Sequence, residues 1–399
     1  MQLLYNSGIF LYGAIIRLAA LFNAKARLWV KGRKEVWRQL EKFESEEKPV
    51  YWFHCASLGE FEQGRPVMER LKFEMNCKLV ISFFSPSGYE IRKDYGKADL
   101  VFYLPLDTKK NAKRVCNYLQ PEKVFFIKYE FWANYIFTLQ KRQVKLHLIS
   151  GLFRPDQIFF KRNGGFFRKV LGAFDHVFVQ NQASKTLLHS IDIHSTVSGD
   201  TRFDRVMKNA ENVKPISLIE QFINNQKVLV IGSSWVEDES VLMPLINSDS
   251  YYDKVIIAPH EVSEDRLKRI EEGIKKSTVR YSKSDTNMVD YQVMIIDNIG
   301  MLMNVYQYAH IAYVGGGFKT GLHNILEPAS FGVPVIFGTE HSKFPEAQLF
   351  INYGVGFEIS TSQELSSLYY QLKAENKSSE ILDFMNDHTG ATDHILTSI

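Results

Sequence analysis

Twice along this chain, short runs rich in β-branched and aromatic residues alternate with stretches of helix length, and this alternation constrains the fold more than any other feature. The first series of runs covers Val50–His54, Lys78–Ser82, Leu100–Tyr103, Lys123–Ile127, Lys145–Ser150 and His176–Gln180. A more polar stretch follows, through Asn209, Asn212, Pro215, Asn224 and Asn225. The second series covers Lys227–Ile231, Lys254–Ala258, Gln292–Ile296, Ile311–Val314 and Val333–Phe337. Apolar strands separated by helices pair in parallel, with both sheet faces covered. The expected fold class is therefore α/β, with two Rossmann-like domains facing across a central cleft. A length of 399 residues suits two domains, because single cores stop growing near ~250–300 residues. The expected boundaries are an N-terminal segment 1–35, a first domain 36–205 and a second domain 206–399, with the last helix able to pack back on the first.

The N-terminal segment stands apart from this pattern. From Ile9 to Phe22 it is apolar except for Arg17, and Lys25, Arg27, Lys31, Arg33 and Lys34 follow. A bilayer-spanning helix needs about 20 apolar residues, so a helix lying in the membrane surface is the expected form. A single span and a buried core helix are the alternatives. The basic residues would then face anionic headgroups on the cytoplasmic side. No basic n-region or small-residue cleavage site marks a secretion signal.

Charge and cysteine content narrow the function. Lys and Arg number 48 against 45 Asp and Glu, a balance that gives no reason to expect nucleic acid as a partner. Cys55, Cys77 and Cys116 are widely spaced, with no C-x-x-C pair and without the even count of a secreted disulfide framework, which favours a reducing compartment. His54, His260, His323 and His341 show no metal-ligand spacing, so neither a metal nor another cofactor is expected. No G-x-S-x-G elbow surrounds a serine.

Open α/β sheets bind ligands beyond the carboxyl ends of their strands, and three stretches lie there. The first is His54-Cys-Ala-Ser-Leu-Gly-Glu-Phe61, where Glu60 falls at a strand-to-helix turn. It can act as a general base toward an incoming hydroxyl, or simply favour the helix N-terminus through the macrodipole. The second is Gly232-Ser-Ser-Trp235, whose Ser233 and Ser234 can offer N–H groups and hydroxyls to a phosphate, or be small for packing alone. The third, Gly315 to Glu327, carries Gly315, Gly316, Gly317 and Gly321, then Asn324 and Glu327 at the expected start of a helix. It reads as a ligand loop in which Glu327 accepts from a ribose diol, with turn geometry alone as the alternative.

At these residues the chain resembles the 3-deoxy-D-manno-octulosonic acid (Kdo) transferases, lipid A-specific inverting enzymes of two-domain GT-B architecture. Ser57-Leu-Gly-Glu60 resembles the family's base motif, Glu130-Phe-Trp-Ala133 its Glu-Leu-Trp-Pro element, and Gly199-Asp-Thr-Arg-Phe-Asp204 its Gly-Asn-x-Lys-Phe-Asp element. The resemblance implies Glu60 as general base, with Glu130 and Arg202 as transition-state stabilisers. On the donor side it implies that Ser233, Ser234, Pro259, His260, Ile299, Gly300, Met301, Asn324, Ile325, Leu326 and Glu327 bind the CMP-sugar, and Phe344 matches a Phe after the donor loop. The chain departs from the pattern in having His260 for Arg, Arg202 for Lys, Met301 for Glu and Lys128 for an acid.

The activity implied is transfer of Kdo from CMP-Kdo to a lipid A precursor (lipid IVA) at the cytoplasmic face of the inner membrane, in lipopolysaccharide core biosynthesis. The alternatives are another GT-B enzyme acting on a UDP-sugar, as transferase or 2-epimerase, and a membrane scaffold without turnover. The sequence leaves oligomeric state and the number of Kdo units open.

Overall fold

A computed structural model describes residues 1–284, 288–319 and 321–399. The chain divides into two compact units, Met1–Arg205 joined by Thr389–Ile399, and Val206–His388. Each contains one seven-stranded sheet.

The first unit opens with helices α1 (Gln2–Ala19), α2 (Ala24–Gly32) and α3 (Val36–Glu41). Strands β1 (Val50–Cys55), β2 (Lys78–Phe83), β3 (Leu100–Tyr103), β4 (Lys123–Ile127), β5 (Lys145–Gly151), β6 (His176–Val179) and β7 (Thr196–Val197) follow. Helix α4 (Leu58–Glu74) connects β1 to β2. The order across the sheet is β3-β2-β1-β4-β5-β6-β7, with every pairing parallel. Successive side chains of a strand point to opposite faces. Val50 and Trp52 therefore join one hydrophobic cluster while Tyr51, Phe53 and Cys55 join another, and β1 is buried along its whole length.

In the second unit, β8 (Val228–Ser234), β9 (Lys254–Pro259), β10 (Thr278–Arg280), β11 (Val293–Ile295), β12 (Ile311–Val314), β13 (Val335–Gly338) and β14 (Gly356–Ile359) are arranged β10-β11-β9-β8-β12-β13-β14, again all parallel. Strands β7, β10 and β14 are not among the sequence expectations. Two of them have only two or three residues, and β14 interrupts its apolar run with Glu358, so neither length nor composition marks them.

Helix α1 buries one side only. Tyr5 donates to Asp107 (2.6 Å) and packs on Phe166, Gly13 meets Leu106, and Tyr12 stacks on Phe84. Leu3, Leu4, Phe10, Leu11, Ile15 and Leu18 stay exposed, followed by Leu21 and Phe22. No single described helix is long and apolar enough to cross a membrane, although α1 passes that test jointly with the Ala24–Glu41 stretch across a 119° bend. Two of the five expected headgroup cations are used internally. Arg27 donates to the carbonyls of Ala20 and Leu21 at the end of α1. Arg33 lies 3.6 Å over the Trp29 ring and donates to the carbonyls of Trp29, Phe84 and Leu104; burial lowers its pKa to about 9.

Candidate active site

In the first sheet the chain runs outward from β1 through β2 to β3, then returns to place β4 on the other side of β1. Such a reversal opens a crevice at the carboxyl ends of the two central strands. Both carboxylates singled out there by sequence follow these strands, Glu60 after β1 and Glu130 after β4.

Glu60 occupies the third position of α4 and completes a capping box with Ser57, accepting from the N–H groups of Ala56 and Ser57. The helix-start reading of this residue is thus realised, and it does not exhaust the residue. Burial and the neighbouring Glu130 charge raise its pKa to about 8, against the opposing pull of the Ala56 N–H and the Lys128 ammonium. A carboxyl that titrates near neutrality is suited to proton abstraction.

Glu130 sits in a denser setting. Its Oε2 accepts from the Trp132 indole N–H (2.5 Å) and lies 3.2 Å from His54 Nε2. His54 is fully buried on β1, and its Nδ1 is 2.8 Å from the Ser82 hydroxyl on β2, which also accepts from the Trp52 indole N–H at 2.8 Å. Trp132 is held from outside by Phe84, ring centroids 4.5 Å apart. Lys128, just after β4, has the left-handed φ of +64° that is rare for a residue with a side chain.

Arg202 is the second residue of the helix Thr201–Ala210, and its guanidinium is engaged by Asp200 at 2.6 and 2.9 Å. Burial would raise Asp200, but Arg202, with a smaller contribution from Lys128, brings it below the usual carboxylate range. Tyr129 feels the charges of both Glu60 and Arg202. Glu60, Glu130, Lys128, Tyr129 and the Asp200–Arg202 pair therefore form one electrostatic neighbourhood within the first unit. Arg202 brings to it a partly neutralised cation rather than an open one, a difference that follows from Asp200 two residues before it.

The second sheet reverses between β8 and β12, and two of the donor-side stretches follow these strands. Asp238 binds them together: it accepts from the N–H groups of Trp235 and Gly316, both at 2.9 Å, and from the Tyr313 hydroxyl at 2.8 Å. A side chain at Gly315 would sit 2.3 Å from the Ser233 carbonyl, and Gly316 has φ +90°, so both glycines are required by backbone packing. Ser233 turns with φ +54°. Ser234 departs from expectation: its hydroxyl is buried and donates to Glu239 (2.8 Å), which also binds Arg266, so that hydroxyl is not presented to a ligand.

Pro259 is buried at the end of β9, while His260 is exposed and stacks on Trp235 at 4.4 Å and on His323 at 4.6 Å. His323 accepts from the Trp235 indole, and burial together with His260 lowers its pKa to about 4. This three-ring stack carried no motif in the sequence. Its signal was positional, since each member closely follows a central strand. Ile299 and Gly300 are exposed in the turn after β11, and Met301 caps the short helix Leu302–Tyr306, whose Leu302 and Tyr306 cover Gly232. Asn324 donates to Glu327 (3.0 Å) and accepts from the Leu326 N–H. Ile325 and Leu326 are buried, and the helix they open is a single turn, Leu326–Ala329, so a long helix dipole is not available there. Phe344 lies against Gly321; Thr320 of the same loop is outside the described residues. Among the described residues no cluster of three or more His, Cys, Asp or Glu is arranged to hold a metal ion.

Two parallel doubly wound sheets with ligand-type turns at their reversal points define a GT-B-like α/β protein. The fold is similar to that of UDP-GlcNAc 2-epimerase from Neisseria meningitidis, with a TM-score of 0.61, 16% identity, and coverage of 87% of this chain and 98% of the other. The profile of the 3-deoxy-D-manno-octulosonic-acid transferase (kdotransferase) family matches residues 31–205. A 3-deoxy-D-manno-octulosonic acid transferase of Rickettsia bellii is 25% identical over 89% of this chain and 88% of its own length. A bifunctional glycosyltransferase/methyltransferase of Fusobacterium nucleatum is 24% identical over 82% of this chain, which spans only 53% of that longer protein. The chain is thus similar to Kdo transferases, along its first unit by the family profile and along most of its length by the Rickettsia bellii relative.

Proposed function

We propose that this protein transfers Kdo from CMP-Kdo to a lipid A precursor, with inversion at the sugar, at the cytoplasmic face of the inner membrane. The observation that carries this reading is the pairing of Glu60, raised to about 8, with Glu130 at the reversal point of the first sheet. In the proposed step, Glu60 takes the proton of an acceptor glucosamine hydroxyl as its oxygen bonds to the Kdo anomeric carbon. The bond from that carbon to the donor phosphate breaks, and CMP leaves as a phosphate monoester. Glu130 and Arg202 stabilise charge on the oxocarbenium-like sugar and its surroundings. In the second unit, the turns at Ser233, Pro259–His260, Ile299–Met301 and Asn324–Glu327 bind the CMP-sugar, and no metal or other cofactor is part of the scheme. The apolar row on α1, with Lys25, Lys31 and Lys34 exposed beyond it, supports docking on a membrane surface.

Purified protein incubated with CMP-Kdo and a tetraacylated disaccharide precursor should give a lipid heavier by one or more Kdo units in mass spectrometry. Glu60→Ala should lower kcat about 10²–10⁴-fold, the usual contribution of a positioned general base. Because the base must be ionised, the rate should rise with pH through about 8. Wild-type turnover in Glu60→Ala would remove the base from the scheme. Tighter binding of UDP than of CMP would instead favour a UDP-sugar enzyme.

A further inference from the structure

The hydrogen-bond chain behind Glu130 has a direction fixed by its outermost member. An indole N–H can only donate, so Trp52 obliges the Ser82 oxygen to accept. The single Ser82 proton then needs an acceptor, and among the described residues His54 Nδ1, at 2.8 Å, is the one its hydroxyl meets. With Nδ1 accepting, the neutral imidazole carries its proton on Nε2, aimed at Glu130 Oε2 at 3.2 Å. The opposite tautomer would turn a lone pair toward a carboxylate and strand the Ser82 proton in a fully buried site. Trp132 lies 3.0 Å from His54 Nε2 and 2.5 Å from Glu130, and with Nε2 protonated it donates to the carboxylate alone.

We propose that Trp52, Ser82 and His54 form a positioning relay that locks His54 as the Nε2–H tautomer, so that His54 and Trp132 together fix the Glu130 carboxylate beside Glu60. All three relay residues project from the adjacent paired strands β1 and β2, and strands hold a site more precisely than loops. The relay's catalytic consequence rests on the reading of Glu60 as base; its geometry does not. Glu60 faces Glu130 and Lys128 from the turn after β4, the Cys55 thiol from β1, and, through Tyr129, the Arg202–Asp200 pair. A change in how Glu130 is held therefore alters the field in which Glu60 ionises.

The test combines tautomer and kinetics. In protein labelled with ¹⁵N-histidine, long-range ¹H–¹⁵N correlation spectra, assigned with His54→Gln, should show His54 as Nε2–H; an Nδ1–H pattern or a mixture overturns the relay. Ser82→Ala should allow both tautomers and lower kcat about tenfold with KM nearly unchanged, as expected for weakening one hydrogen bond to a charged acceptor. It should also move the acidic limb of the pH–rate profile upward by about one unit, since fewer donors then offset the Glu130 charge beside Glu60. A lower melting temperature with unchanged tautomer and pH profile would assign Ser82 a purely structural role and overturn the relay. An Nε2–H tautomer in a wild-type protein that transfers no Kdo would sustain the relay and sink the proposed reaction.

Discussion

Glu60 is asked to do two things that oppose one another. As a capping residue it is favoured as a carboxylate, because the N–H groups of Ala56 and Ser57 point at it. As a buried acid beside Glu130 it is favoured as the neutral acid, and this second influence prevails, placing it near 8 rather than 4.5. The sign of the linkage follows. Between about 4.5 and about 8 the folded chain holds a proton that the unfolded chain has released, so stability falls as pH rises through that window. Glu60→Gln keeps an oxygen for the two N–H groups and cannot ionise. Its stability should match wild type near pH 4 and exceed it at pH 9 by on the order of 2–4 kcal/mol. Thermal melts at the two pH values check this, with about 2–4 °C expected per kcal/mol in a domain of this size. Equal melting temperatures at pH 9 would mean that the carboxylate carries no strain. The sequence made Glu60 and Glu130 legible because each follows a recognisable strand within a motif. It could not make His54, Ser82 and Trp52 legible, since their roles arise from strand register, with His54 paired to Ser82 across β1 and β2.

At the scale of elements, long apolar strands were readable, and the differences lie where short-range signals weaken. Strand β8 runs on through Gly232, Ser233 and Ser234, residues that read as a turn, because the ladder to β9 continues past a register shift there. The glycine-rich stretch after β12 was legible as a special backbone, but its physical reason is close approach to β8 and β13 as much as any ligand: Gly315 abuts Ser233, and Gly317 abuts Gly338. Helix α1 shows the same division. Its apolar character was plain, whereas the face it buries depends on Tyr5, Tyr12 and Gly13 finding Asp107, Phe84 and Leu106. The exposed row gives a prediction that belongs to the helix. Burying an aromatic or Leu side chain in an apolar phase contributes about 1.5–3 kcal/mol. Phe10→Glu or Ile15→Glu, both on the open face, should each weaken binding to anionic phospholipid vesicles roughly tenfold or more. Flotation assays measure this, and unaltered flotation of the double variant would exclude the α1 face as the docking surface. Turnover on a short-chain soluble acceptor should be nearly unchanged, because neither residue belongs to the catalytic neighbourhood.

For the molecule as a whole, the second sheet's unit ends at His388 and the last residues of the chain return to the first unit. The return is built on Asp204, the final acid of the Gly199–Asp204 motif. Its carboxylate accepts from the N–H groups of Gly390 (2.6 Å) and Thr392 (2.7 Å) and from the Thr392 hydroxyl (2.5 Å). Ile395, on the helix Ala391–Leu396, is fully buried in the cluster that contains Phe53, Phe61 and Phe125. The first unit is thus closed by a segment nearly two hundred positions away from the acid that anchors it; the sequence suggests that the last helix returns, while the Asp204 anchor itself comes from the structure. Because Ile395 belongs to one unit only, Ile395→Ala should destabilise that unit selectively, by about 2–5 kcal/mol for a large-to-small change in a packed core. Scanning calorimetry should show the transition of the first unit moved to lower temperature, with that of Val206–His388 nearly unmoved. If both shift equally, the two units unfold as a single cooperative block, and the last helix then stabilises the whole chain rather than the half into which it is packed.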